Sequence, residues 1–245
     1  IEEAKWKDMG THINNVIRIS GEEKITDAYI IADFATHAYV ITVSKGGMIK
    51  KTAIREYEVS RHNKTMANMK LSDQDSCIAS MLAYEGDEVL LCSYNGYMVR
   101  YPISLIPATS PKSKGVKAMN LAEDHIVSAC VYHEDSKQLL VVNDHCAMKR
   151  IKLSEIDLTG RPVKGNMICK RVKSKPYHIH TIALFDMNEE IRMEGEASET
   201  LLMKEVTLMS REATFSQVLP IMSEFRVAKQ LEVVKPISLP IQEET

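Results

Sequence analysis

The sequence predicts an all-β, propeller-like ring of about five four-stranded blades, and three observations lead to that prediction. A nine-residue segment recurs at offsets of 49 and 50 residues, as 44–52 (SKGGMIKKT), 93–101 (SYNGYMVRY) and 143–151 (NDHCAMKRI). Each copy follows a short apolar run that is typical of a strand. A second motif, at 64–71, returns at 114–121 and 164–171 in the same phase. Repeats of this length that contain several short strands are typical of propellers.

The elements within a repeat are predicted to be strands joined by hairpins. Asn95-Gly96 separates two apolar runs, and tight hairpin turns favour these residues because they tolerate positive φ. Residues 199–210 have a composition that also suits a helix, but the repeat phase there favours a strand. The opening stretch, 10–28, matches only the second half of a repeat. We therefore expect the ring to close by pairing strands from both ends of the chain.

The repeats divide one domain, which spans the whole chain from 1 to 245. Their approximate bounds are 10–31 with closure by the C-terminal part, 39–80, 88–130, 138–182 and 183–220, followed by a tail at 230–245.

Charge is segregated along the chain although the total is nearly neutral. The 245 residues contain 31 Lys and Arg against 33 Asp and Glu, a net charge of −2. Basic residues outnumber acidic ones by seven to four in 39–80, four to one in 88–121 and nine to three in 138–182, whereas 183–214 has three against eight. Such segregation favours a polyanion-binding face. The acidic fourth repeat, with Glu189, Glu190, Glu194, Glu196 and Glu199, is expected to repel DNA, so a bound duplex would leave the domain there.

Other classes of function find little support in the sequence. The five cysteines are scattered and form no CxxC pair, which indicates reduced thiols. No apolar run reaches the ~18 residues of a membrane span, and the opening at Ile1 without a signal pattern indicates a piece of a longer cytoplasmic protein. His178, His180 and Cys169 are too few for a zinc site, and no phosphate-binding loop or nucleophile motif is present. We expect no metal or cofactor.

Cations at fixed repeat phases are the candidate binding residues, and they fall in two rows. Equivalent positions in successive blades occupy equivalent places on the ring, so each row is expected to follow the curved outer edge and contact the phosphates of a bent duplex. Alternatively, these side chains only cover exposed strand ends. The first row is Lys50, Lys51, Arg100, Lys149 and Arg150, and the second is Arg61, Lys64, Lys112, Lys114, Lys117, Arg161 and Lys164.

The turns after the apolar strands, at 47–51, 96–100 and 147–150, resemble those of the C-terminal domains of bacterial type IIA topoisomerase A subunits. The resemblance covers nearly the whole chain and is clear over 10–182. It implies a β-pinwheel, a propeller variant in which neighbouring blades exchange strands. Gyrase-type members carry a QRRGGKG box, which segments 60–65, 110–115 and 159–165 do not match. The opening segment 9–16 (MGTHINNV) is more similar to the topoisomerase IV type.

The resemblance implies an accessory domain that grips and bends double-stranded DNA, largely without regard to sequence, and presents it for decatenation and relaxation. Catalysis would belong to the N-terminal catalytic region of the same polypeptide, and Mg²⁺ and ATP to the holoenzyme formed with the topoisomerase IV B subunit. The domain itself would need no cofactor and would work in the bacterial cytoplasm, on the nucleoid. A gyrase-type domain that wraps DNA and a propeller-like protein-interaction module are the alternatives.

Overall fold

The computed structural model describes residues 7, 9–17, 19, 23–60, 65–133, 137–170, 173, 176–195, 197–222, 224–228 and 232–234. One helical turn, α1, spans Ile13–Val16. The strands are β1 (Tyr29–Ile31), β2 (Ala38–Ser44), β3 (Met48–Ala53), β4 (Cys77–Tyr84), β5 (Glu88–Ser93), β6 (Tyr97–Pro102), β7 (Val116–Lys117), β8 (Ile126–Tyr132), β9 (Gln138–Asn143), β10 (Met148–Ile151), β11 (Asn166–Met167), β12 (Ile179–Phe185), β13 (Glu190–Gly195), β14 (Ser198–Leu202), β15 (Phe225–Val227) and β16 (Glu232–Val234). Short 3₁₀ helices follow four of them, at Ile54–Tyr57, Ile103–Leu105, Leu153–Glu155 and Met203–Glu205.

Fourteen of the sixteen described strands form four antiparallel sheets, which we number as blades in chain order. Blade 1 has the strand order β4-β2-β3-β7, blade 2 β8-β5-β6-β11, blade 3 β12-β9-β10 and blade 4 β15-β13-β14. The predicted all-β class is confirmed. Residues 199–210 begin as strand β14 and continue as a 3₁₀ turn, as the repeat phase indicates.

Three crossing segments, which we call straps, exchange strands between neighbouring blades. Straps 1, 2 and 3 are residues 108–120, 158–170 and 208–219. Each strap begins after the 3₁₀ helix of one blade and crosses to the outermost strand of the preceding blade. The pairings are Met48 with Lys117, Met98 with Asn166 and Met148 with Ser216. The third strand of blades 1 to 3 is therefore covered by the next repeat and is not a free edge.

The hydrophobic core lies between successive blades. Residues 89–92 of β5 and 139–142 of β9 are all fully buried, because both faces of these middle strands are covered by neighbouring blades. Strand β13 instead alternates between exposed and buried residues. At the position where β5 has Leu90 (opposite Arg100) and β9 has Leu140 (opposite Arg150), β13 has a charged residue, Arg192, opposite Thr200. The apolar packing therefore stops at blade 4, whose further face is polar.

Strands from the two ends of the chain meet beside blade 1. β1 pairs in parallel with β16. The backbone N–H of Ser80 donates to Asp27 Oδ2 (2.9 Å), which fixes the segment before β1 against blade 1. Tyr29 and Ile31 add to this contact by packing on the apolar cluster around Leu82. Of the predicted tail at 230–245, all but 232–234 lies outside the described residues.

Candidate nucleic-acid interface

Two lysines of the first predicted row are fully buried beneath the straps. Lys50 on β3 donates to the carbonyls of Pro111 (2.6 Å) and Asn68, and Lys149 on β10 donates to those of Arg211 and Ala213 (both 2.7 Å). Burial lowers the pKa of each ammonium to about 8. These lysines anchor strap loops from below.

The other three members of that row connect one blade to the next. Lys51 Nζ donates to the carbonyl of Ile103 at 3.0 Å. Arg100 Nη1 donates to that of Leu153 at 2.9 Å, and Arg150 Nε donates to that of Val206 at 3.1 Å. All three acceptors lie in or directly after the 3₁₀ helix of the following blade. The carbonyls of Ile103 and Leu153 also accept from the N–H groups of Ile106 and Ile156 (both 3.0 Å), so each cation adds a second donor at the end of the helix.

The prediction that the first row lies exposed along the outer edge is therefore wrong in its geometry. Lys50, Lys51 and Lys149 are buried, and Arg100 and Arg150 are half-buried in hydrogen bonds between blades. The physical reason is the strand exchange. A strap covers the strand end that a simple hairpin repeat would leave at the rim.

The second row lies on the straps and is largely exposed. Lys112, Lys114 and Lys117 are exposed on strap 1, and Lys164 is exposed on strap 2. Lys164 Nζ sits 4.2 Å from the centroid of the Tyr97 ring, a cation–π contact. Arg61 and Lys64 lie outside the described residues.

Arg161 is half-buried and connects strap 2 to the preceding repeat. Its guanidinium donates to the carbonyl of Leu105 through Nε (2.7 Å) and to that of Lys117 through Nη1 (3.3 Å). Two of its N–H donors are thus already bound to backbone carbonyls of the protein. Its guanidinium lies next to the backbone of Lys117 on strap 1.

Strap 1 is hydrogen-bonded to the segment that ends at Lys70 and to strap 2 by one contact that occurs twice, 50 residues apart. The N–H of Lys70 donates to the carbonyl of Ser113 (3.1 Å), and the N–H of Asn120 donates to that of Val163 (2.8 Å). The exposed lysines of straps 1 and 2 therefore share one continuous surface, which we call the strap arc. Lys70 and Lys170, which share the phase of Asn120, are exposed there too. The second motif, at 64–71, 114–121 and 164–171, could have indicated Lys70 and Lys170, because both occupy the same position in it.

The positive charge ends at strap 3. Arg211 occupies the position of Arg161, but its guanidinium faces Asp157 (3.6 Å) and Glu212 (3.5 Å). Glu212 and Thr214 stand where strap 1 has Lys112 and Lys114. Beyond the strap, Glu194 on β13 accepts from Arg226 at 2.7 Å. The cationic arc is thus bounded on this side by ion pairs and acidic residues.

His180 on β12 and His178, which directly precedes that strand, both contact other residues of the protein. His178 stacks on Tyr94 with ring centroids 3.9 Å apart, and His180 Nε2 lies 3.0 Å from the carbonyl oxygen of Phe225. Across the described ranges, no three His, Cys, Asp or Glu side chains converge as a metal site would require. In the same part of the chain, no helix is long and apolar enough to cross a membrane.

The chain is similar in sequence to known proteins. Residues 38–82 and 87–131, which include the central strands β2 and β3 of blade 1 and β5 and β6 of blade 2, match a family described as DNA gyrase C-terminal domain, beta-propeller. The A subunit of DNA topoisomerase 4 from Bacillus subtilis (strain 168) is 28% identical over 199 residues, which are 81% of this chain and 24% of that protein. The chain therefore spans about a quarter of the length of that relative.

Solved structures agree with these relationships. A crystal structure of the C-terminal domain of DNA topoisomerase IV superposes with a TM-score of 0.85 at 28% identity, covering 92% of this chain and 72% of the other. A DNA gyrase A C-terminal domain superposes with a TM-score of 0.76 at 19% identity, covering 89% and 74%. The second likeness is one of fold. Both support the β-pinwheel assignment.

Proposed function

We propose that this chain, which is similar to the C-terminal domains of the A subunits of DNA gyrase and topoisomerase IV, is an accessory domain that binds duplex DNA on the strap arc. The observation that carries this proposal is the hydrogen bond from Asn120 N–H to the Val163 carbonyl, 2.8 Å long. It joins strap 1 directly to strap 2, and this supports the proposal because both straps carry exposed lysines. A bent duplex that lies along these straps would bring several of its phosphates to the lysines at once.

The chemistry of the arc suits phosphates rather than bases. Lysine ammonium groups on flexible stems bind phosphate oxygens as point charges and read no sequence. Bending a 20–30 bp duplex by 40–90° costs on the order of 1–6 kcal/mol, so several contacts must act together. Six exposed lysines, namely Lys70, Lys112, Lys114, Lys117, Lys164 and Lys170, are available on the described part of the arc. If each neutralises one phosphate, log K falls against log salt with a slope of about −5.

Within the whole protein, the domain would hold and modestly bend the duplex segment that is transported during decatenation and relaxation. DNA cleavage would remain with the N-terminal region of the same polypeptide. ATP and Mg²⁺ would be used by the holoenzyme that includes the B subunit. The fragment itself would have no catalytic activity, and it would act on the bacterial nucleoid in the cytoplasm.

A salt titration of duplex binding tests the proposal. Fluorescence anisotropy with a labelled duplex of about 40 bp should give a steep slope for the unaltered chain. The Lys112→Gln/Lys164→Gln variant should bind more weakly, with a slope smaller by about 2. The Lys24→Gln/Lys204→Gln variant loses the same charge from exposed sites off the arc and should retain the slope. Equal binding by both variants would contradict the assignment of the arc.

The two alternatives give different outcomes. A protein-interaction module would show no binding to the duplex even at low salt. A gyrase-type wrapping domain would change the linking number of a relaxed circle that is closed by ligase in its presence. The topoisomerase IV type, which we favour, is expected to produce little writhe in that assay.

A further inference from the structure

A cleft lies beside the strap arc, between the hairpin of blade 1 and the beginning of β8. Its lining includes Lys45 from the β2–β3 turn, Lys114 from strap 1 and His125, which directly precedes β8. Lys45 and Lys114 are both exposed. The backbone N–H of Ile126 donates to the Lys45 carbonyl at 2.9 Å, which holds the two walls together. Two lysines and a histidine therefore line one shallow cleft.

The carboxylates near the cleft already accept hydrogen bonds from the protein. Asp75, which also lines the cleft, accepts from Ser44 Oγ (2.6 Å) and from the N–H of Gly46 (2.7 Å). Asp124 accepts from the N–H groups of His125 (2.8 Å) and Asn95 (3.2 Å). Both carboxylates are thus positioned by the hairpin backbones.

The ring of His125 is held rigidly on the wall of the cleft. It stacks on Tyr94 with centroids 4.9 Å apart, and Tyr94 also stacks with His178, with centroids 3.9 Å apart. Burial lowers the pKa of His125, Lys45 and His178 lower it further, and Asp124 opposes them. In the free protein the neutral form of this imidazole is therefore favoured. A bound anion would favour its protonated form.

We propose that this cleft is a phosphate-binding site that takes a backbone phosphate of the duplex on the strap arc. The inference rests on the proposed function and extends the path of the duplex from strap 1 to the hairpin face of blade 1. Lys114 belongs to both surfaces and is the link between them. A phosphate in the cleft accepts hydrogen bonds from the ammonium groups of Lys45 and Lys114. It also accepts one from His125, which takes up a proton when the DNA binds.

Proton uptake gives the proposal a distinctive signature. Because binding favours the protonated imidazole, DNA affinity should rise as the pH falls, by up to about tenfold between pH 7 and pH 5.5. The other histidines also titrate in this range, so the diagnostic quantity is the difference between the unaltered chain and His125→Gln. His145→Gln is the matched control, since His145 is exposed on the corresponding hairpin of blade 3 and does not line the cleft.

The experiment measures affinity for a duplex of about 40 bp between pH 5.5 and pH 8 at fixed ionic strength. We expect His125→Gln to lose most of the rise in affinity at low pH and His145→Gln to keep it. We also expect Lys45→Gln to reduce the salt slope by about 1, whereas Lys204→Gln leaves it unchanged. NMR of the His125 ring in the full chain should show its pKa rising when DNA is added.

The outcomes separate this inference from the proposed function. If no variant binds DNA and the unaltered chain does not either, the proposed function fails. If the chain binds DNA through Lys112 and Lys164 while Lys45→Gln and His125→Gln behave like their controls, the strap arc stands and the cleft proposal is overturned.

Discussion

The guanidinium of Arg100 on blade 2 donates to the backbone carbonyl of Leu153 on blade 3, over 2.9 Å. Lys51 and Arg150 make the corresponding contacts one blade earlier and one blade later. Arg100 is also held at its own blade by Glu88, whose Oε2 lies 2.5 Å from Nε. A cation at one repeat phase therefore joins each blade to its neighbour. The recurrence of that cation in the sequence is explained by the architecture and does not require a nucleic-acid partner.

Replacement of Arg100 by methionine is expected to destabilise the fold. The change removes the guanidinium donor from the Ile156 carbonyl and from the mostly buried Glu88 carboxylate, whereas the Leu153 carbonyl still accepts from the Ile156 N–H (3.0 Å). Unsatisfied groups of this kind cost about 1–3 kcal/mol. Urea unfolding should show that loss, while DNA affinity under folding conditions stays near that of the unaltered chain. An unchanged unfolding midpoint combined with a marked loss of DNA binding would restore Arg100 as a contact residue.

Lys149 is expected to make stability depend on alkaline pH. Burial lowers its pKa to about 8 in the folded state, against 10.5 for the free side chain. Between these values the unfolded chain holds a proton that the folded chain has lost, so a rise in pH favours the folded state. The free energy of unfolding of the unaltered chain, minus that of Lys149→Met, should therefore increase from pH 8 to pH 10. Taking the difference cancels the tyrosines and cysteines that titrate in the same range.

Lys152→Met is the matched control for this experiment, because it removes an exposed positive charge just beyond the same strand. A difference curve for Lys149→Met that is flat or that falls with pH would contradict the burial of this ammonium beneath strap 3.

The close approach of strap 2 to blade 2 depends on Gly165. Its φ is +84°, and a Cβ at this position would lie 2.1 Å from the Met98 carbonyl oxygen. Gly165→Ala should therefore push the strap off β6 and destabilise the fold by about 2–4 kcal/mol. Gly160→Ala, in the same strap, meets nothing within 4 Å and should change stability by less than about 0.5 kcal/mol. Similar urea midpoints for the two variants would show that the strap does not pack as described.

The repeat phase was sufficient to predict the strands and the all-β class, because hairpin turns and apolar runs are local signals. The path of the straps was not predictable in the same way. The partner of Met48 is Lys117, which lies 69 residues further along the chain, and no local pattern specifies that pairing. The first row of cations was misplaced for this reason. Once a strap covers β3 and β10, Lys50 and Lys149 must be buried and must find acceptors.

Most described members of the second row lie in loops, and Lys117 lies on the two-residue strand β7. Lys112, Lys114 and Lys164 are exposed, as loop lysines usually are. The sequence could not show that the Arg161 guanidinium donates hydrogen bonds to the Leu105 and Lys117 carbonyls. The sequence did not indicate the cleft either, because Lys45, Lys114 and His125 come from three different parts of the chain.

The acidic fourth repeat is expected to limit how far DNA extends around the domain. Glu190 on β13 is exposed and Glu199 on β14 is half-buried, whereas Glu194 is already paired with Arg226. Reversing the first two, as Glu190→Lys/Glu199→Lys, removes repulsion without breaking that pair. The hydroxyl-radical footprint on a long duplex should then lengthen toward blade 4, and the salt slope should steepen by up to about 2. Glu190→Gln/Glu199→Gln, which only removes the negative charges, should give a smaller extension. If both variants protect the same length of DNA as the unaltered chain, the duplex ends its contact for a reason other than charge.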